Sequence, residues 1–98
     1  QEKYILSVSR MHEEKMYVKE LINSYIHLSK NNIIPANIKL FIIGDGPLFP
    51  EVKKIAEEGN KYLSNEKIIL LGYITGIELD IYFHNCIMFS IDKVFIFG

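Results

Sequence analysis

The 98-residue sequence has a single cysteine, Cys86, so it cannot form an internal disulfide framework. With no His/Cys cluster at ligand spacing, a structural zinc site is excluded as well. Long apolar runs are also lacking. None approaches the roughly 18 to 20 residues that span a bilayer, and residues 1–3 lead into a short apolar run without the tripartite pattern of a signal peptide. Net charge is almost absent: eleven basic residues against twelve acidic ones leave −1. That excludes a polyanion such as nucleic acid recognised by bulk charge, and leaves any phosphate to local geometry. These absences together predict a reducing, cytoplasmic setting, with any membrane contact peripheral and at the inner face.

The chain does have the material for a core. At 49% hydrophobic, 12% aromatic and 23% charged, it lacks the composition of a disordered segment and has the length of one small domain. Residues 4–9 form a short apolar, partly β-branched run that ends in the polar cluster 10–15, a buried strand that delivers Arg10 to its carboxyl end. Val18, Leu21, Ile22, Tyr25, Ile26 and Leu28 then recur at steps of three and four, the stripe of an amphipathic helix over residues 16–30. Asn31, Asn32 and Pro35 stop it.

A second apolar run, residues 38–43, closes on Gly44-Asp45-Gly46-Pro47. A helix over residues 50–63 follows, with Val52, Ile55, Ala56, Tyr62 and Leu63 inward and Gly59 expected to fray its last turn at a cost of about 1 kcal/mol. A third run, residues 67–71, closes on Gly72, and a short helix over residues 76–85 turns Ile77, Ile81 and Tyr82 inward. Residues 86–89 form the fourth run, entered by Cys86, and residues 94–97 are apolar again. Strands separated by helices of ten or more residues pair in parallel through right-handed crossovers. The expected fold is therefore α/β, a Rossmann-like doubly wound parallel sheet in the order β-α-β-α-β-α-β.

In such a sheet, ligands bind beyond the carboxyl ends of the strands. In the first loop Arg10 and Lys15 lie five residues apart at a helix N-terminus, a combination suited to a diphosphate. The alternative is a solvated pair of cations bridging to Glu13, Glu14 or Glu2. Gly44-Asp45-Gly46-Pro47-Leu48-Phe49 starts like a dinucleotide fingerprint but has Phe49 where that motif needs glycine or alanine. It is a tight strand-to-helix turn whose glycines allow a close backbone approach. His12, His27 and His84 are scattered, Cys86 has no partnering base, and Ser90 lacks the turn of a hydrolase elbow.

Four segments, in order and at suitable spacing, resemble the C-terminal, donor-binding domain of retaining GT-B glycosyltransferases of the family-4 type (glycosyl transferases group 1). They are Val8-Ser9-Arg10-Met11 followed by Lys15; residues 40–47 ending in Gly-x-Gly-Pro; Ile69-Leu70-Leu71-Gly72-Tyr73-Ile74; and Cys86-Ile87-Met88-Phe89-Ser90. The resemblance implies a site for a nucleotide-activated sugar, UDP- or GDP-linked, which is the substrate, with no separate cofactor and no metal. Arg10 and Lys15 would hold the diphosphate, and Gly44, Gly46, Gly72, Tyr73, Ile74 and Ser90 would line the nucleotide pocket. Residues 1–98 would be a single partial domain, the N-terminal part of the donor-binding domain. The acceptor, a glycan or lipid-linked sugar in polysaccharide biosynthesis, would be held by a separate N-terminal domain, leaving the isolated chain inactive.

The sequence departs from the family pattern at Ser9, Met16 and Phe89, where glycine, glycine and proline are usual. The family's paired glutamates should begin just after Ser90, yet residues 91–98 contain none, so no catalytic residue is assigned. A noncatalytic Rossmann-like nucleotide-binding or interaction module is the alternative reading. An incomplete sheet also leaves an open edge, through which self-association is expected.

Overall fold

The computed structural model describes residues 2–11, 17–91 and 94–97. The elements run β1 (Lys3–Val8), α1 (Tyr17–Lys30), β2 (Ile38–Ile43), α2 (Phe49–Leu63), β3 (Ile68–Gly72), α3 (Gly76–Asn85), β4 (Met88–Ile91) and β5 (Val94–Phe97). They build one sheet of order β3-β2-β1-β4-β5. β1 pairs in parallel with β2 and β4, and β2 with β3. The sequence left residues 94–97 without a place; they run antiparallel to β4 as the last strand.

Strand alternation sorts the core onto two faces. Ile5, Leu40, Ile42 and Ile68 pack with Val18, Ile22 and Tyr25 of α1 and Val52 and Ala56 of α2. Tyr4, Leu6, Phe41 and Ile43 face the other way, where Leu79, Tyr82 and Phe83 of α3 cover them. Helices on both faces make the sheet doubly wound, with the chain reversing direction between β1 and β4. The α3 face is pinned by an aromatic cluster. The rings of Tyr4 and Phe41 stack at 4.4 Å with Tyr82 edge-on to both, and the Tyr4 hydroxyl donates to the Tyr82 carbonyl at 2.8 Å.

Several local expectations need correction. α3 turns Leu79, Tyr82 and Phe83 inward, whereas Ile77 and Ile81 are 80% and 56% exposed. At 100° per residue those two isoleucines fall opposite the Leu79–Phe83 stripe, and the denser stripe wins the sheet. α2 continues through Gly59, which is buried, because Ile26 of α1 and Ile68 of β3 occupy the space a side chain would need. Its stop is Ser64, left-handed at φ 59°. Tyr62 lies 59% exposed with the Lys30 ammonium over its ring at 4.6 Å. Cys86 caps α3 rather than entering β4, which begins at Met88. α1 ends as expected, with Asn32 left-handed at φ 59°.

One side chain ties α2 to the outer edge of the sheet. Asn60 Nδ2 donates to the Ile68 carbonyl at 2.9 Å, while its Oδ1 accepts from the backbone N–H groups of Lys67 (3.0 Å) and Ile68 (2.8 Å). Its amide thus occupies the place a neighbouring strand's peptide would take. Asn60→Ala leaves the N–H and the carbonyl of Ile68 without this partner, while the Lys67 N–H keeps the Asn65 carbonyl at 3.1 Å, and is expected to cost about 1–3 kcal/mol in urea unfolding, with the far-UV spectrum retained. An unchanged midpoint would show that water replaces the amide at no cost.

Candidate functional site

The parallel ladder does not stop where β1 and β2 end. Ser9 N–H donates to the Ile43 carbonyl at 3.0 Å, Met11 N–H to Asp45 at 3.2 Å, and Leu48 N–H back to Met11 at 3.0 Å. On the far side of β2, Gly44 N–H donates to the Gly72 carbonyl at 2.8 Å. The three segments that follow β1, β2 and β3 are therefore laced together by their backbones. Ser9 and Met11 are buried on either side of Arg10, so the alternation that sinks its neighbours leaves Arg10 exposed.

Gly44 and Gly46 explain how these backbones come so close. Both have positive φ, 148° and 151°, and a Cβ on Gly44 would lie 1.8 Å from the Ser9 carbonyl oxygen, one on Gly46 2.7 Å from that of Met11. The close approach expected toward a ligand is used first by residues 9–11 of the chain itself. Gly72 differs: its φ is 77°, yet a Cβ there would meet open space.

These segments enclose a concavity of about 270 Å³ lined by Val8, Ser9, Arg10, Ile43, Gly44, Asp45, Tyr73 and Ile74. Its surface is mostly apolar with a smaller polar share, as small-molecule sites are. Five of the sequence-predicted site residues bear on it: Arg10, Gly44, Tyr73 and Ile74 line it, and Gly72 is bonded to its rim. Gly46 lies one residue beyond the lining, packed on Met11. Ser90 sits in β4, in register with Ser7 of β1. Lys15 lies outside the described residues, as do His12, Glu13, Glu14 and Met16.

No described residue forms an ion pair with Arg10. Glu2, one of the partners weighed for it, is engaged by Lys39 at 2.6 Å. Sequence reasoning passed over Val8, Ile43 and Asp45 as site residues, although each adjoins a singled-out position at a strand end. Asp45 Oδ1 accepts from Gly46 N–H at 2.8 Å, which fixes a carboxylate at the rim near Arg10. Cys86 has no part here: burial pushes its thiol above the ordinary value, and it donates to the Phe83 carbonyl at 3.2 Å. A larger concavity, about 360 Å³ beside α1, is lined mainly by apolar residues such as Leu21, Leu28 and Met88, with no cation among the described residues that line it. Among the described residues no three His, Cys, Asp or Glu side chains gather to hold a metal, and no helix is long and apolar enough to cross a membrane.

A family model described as Glycosyl transferases group 1 matches residues 1–92. No curated protein matches the chain.

The two kinds of glycine predict different costs. Gly44→Ala combines backbone strain of about 1–3 kcal/mol with an overlap that adds about 1–3 kcal/mol, so most of the stability of a small domain should go. Gly72→Ala carries only a strain of about 1–2 kcal/mol. Urea denaturation of the two variants checks this, and equal losses would mean that the lacing of residues 9–11 to the turn does not set the cost.

Proposed function

We propose that this chain, which belongs to the glycosyl transferases group 1 family, forms the donor side of a sugar transferase and holds a nucleoside diphosphate sugar beyond the carboxyl ends of β1, β2 and β3. The observation that carries the reading is Arg10. Its exposed guanidinium, held between two buried neighbours, stands on the wall of a concavity beyond the carboxyl ends of β1, β2 and β3, the edge at which open parallel sheets take ligands.

In this reading Arg10 and Lys15 take the diphosphate of a UDP- or GDP-linked sugar, and Ile43, Tyr73 and Ile74 offer the apolar surface for the base. Gly44, Gly46 and Gly72 hold the wall in shape, and Ser90, on the neighbouring strand β4, is assigned to the nucleotide pocket by the family resemblance. Asp45 carries the same sign as the phosphates and keeps them to the arginine side. When the bond from the anomeric carbon to the diphosphate oxygen breaks, its electron pair stays on that oxygen. The two cations stabilise the charge developing there, a role that needs no divalent ion.

The sugar passes to an acceptor glycan or lipid-linked sugar with retention of configuration. The acceptor is presented from a second domain on the cytoplasmic side, in polysaccharide biosynthesis. A second reading, a noncatalytic nucleotide-binding module, is favoured by the absence of any glutamate in residues 91–98.

Calorimetric titration of the 98-residue chain with UDP, GDP, UMP and GMP tests the donor site. One diphosphate should bind more tightly than its monophosphate, and Arg10→Ala should weaken it about tenfold or more, equivalent to at least about 1.4 kcal/mol, without changing the far-UV spectrum. Lys15→Ala should act in the same direction. Failure of both diphosphates to bind, or binding indifferent to Arg10→Ala, would remove the donor assignment. Diphosphate binding without any hydrolysis or transfer by a longer chain that includes these residues would favour the noncatalytic module.

A further inference from the structure

Three strands, adjacent in the order β3-β2-β1, end at the concavity that holds Arg10, and each brings a different chemistry to it. Arg10 follows β1, Asp45 follows β2, and Tyr73 and Ile74 follow β3. Neighbouring strands lie about 4.8 Å apart, so the ends of β1 and β3 are separated by on the order of 10 Å. That is the scale on which the base of a nucleotide stands off from its diphosphate. A nucleotide with its diphosphate on Arg10 and its base on Tyr73 and Ile74 therefore lays its ribose across the end of β2, beside Asp45.

Asp45 is held at two points. Its carbonyl accepts from Met11 N–H at 3.2 Å and its Oδ1 from Gly46 N–H at 2.8 Å, so backbone and carboxylate are both fixed. Its Oδ2 has no hydrogen-bond partner among the described residues, and no ion pair joins Asp45 to Arg10. A carboxylate accepts hydrogen bonds without donating any, and among the described residues that line the concavity Asp45 supplies the one carboxylate. The guanidinium of Arg10 only donates, and the buried Ser9 hydroxyl is turned to the Arg10 carbonyl at 3.3 Å. Phosphates and a carboxylate repel. The part of a nucleotide that can lie against Asp45 is its ribose, whose two adjacent hydroxyls both donate.

We propose that Asp45 accepts from the ribose hydroxyls of the bound nucleotide and makes this a site for ribonucleotides over deoxyribonucleotides. The inference rests on the donor reading above and adds to it the group that recognises the sugar of the nucleotide itself. In doubly wound dinucleotide sites an acidic residue downstream of the phosphate-binding first turn takes the ribose in the same way. A nucleotide without those hydroxyls brings no donor to the fixed carboxylate while still taking water from it, and a site built to bond a hydroxyl rejects the analogue that lacks it.

Calorimetric titration of the 98-residue chain with UDP and GDP, and with the dideoxy form of each, which lacks both ribose hydroxyls, tests this. The dideoxy form should bind about tenfold or more weakly than its parent. Asp45→Asn keeps an oxygen for the Gly46 N–H but puts a donor in place of the other acceptor, and should bring that ratio to within about twofold. Repulsion between Asp45 and the phosphates acts on both forms alike, so it cancels in the ratio. Arg10→Ala should weaken both forms and leave the ratio as it was. Equal binding of the two forms by the unaltered chain, or a ratio that survives Asp45→Asn with the far-UV spectrum kept, would overturn the proposal while the donor reading stood. A ratio set by Asp45 together with affinities indifferent to Arg10→Ala would keep the ribose contact and overturn the placing of the diphosphate. Binding of neither UDP nor GDP would remove both.

Discussion

Everything at the carboxyl end of this sheet depends on two backbones meeting without a side chain between them. Residues 9–11 and 43–48 exchange three hydrogen bonds beyond the ends of β1 and β2, and the Ser9 and Met11 carbonyls occupy the space where Gly44 and Gly46 would carry Cβ atoms. Because that contact buries Ser9 and Met11, the residue between them is pushed outward, and Arg10 gains its position from packing rather than from any partner of its own. Chemistry and stability are therefore coupled at one place: a change that loosened the turn would move the cation as well.

The same logic of asymmetric closure runs through the rest of the fold. One face of the sheet is covered by α1 and α2 with a dense aliphatic core, the other by α3 through an aromatic cluster and a single tyrosine hydroxyl. α3 is apolar on both sides, since Ile77 and Ile81 face away from the sheet, so its sequence alone does not say which side is inward. At the β3 edge the closure is a single asparagine amide, which takes both the N–H and the carbonyl of Ile68.

These features divide what was legible in the sequence from what was not. Apolar runs broken by glycine turns gave four strands, their separations gave parallel pairing, and the position of Arg10 at the end of the first strand followed from both. Local signals were less reliable wherever tertiary packing chose between near-equal options. Gly59 looked like a weak point in a helix and is a contact point, because only the fold brings Ile26 and Ile68 against it. Ile77 looked buried because isoleucine usually is, but Leu79, Tyr82 and Phe83 together bury more surface. Val8 and Ile43 escaped notice as site residues because nothing in their own chemistry marks them, and Asp45 was assigned to the tight turn alone; all three line the concavity because the strand ends converge.

The fit of Gly44 against Ser9 also bears on how such a scaffold could diversify. Every amino-acid substitution at that position introduces a side chain the backbone cannot accommodate without shifting, so the turn is closed to drift. Variation in what the cleft accepts would instead have to come from Arg10, Asp45 and Tyr73, whose side chains project from this frame and can be exchanged while it stays intact.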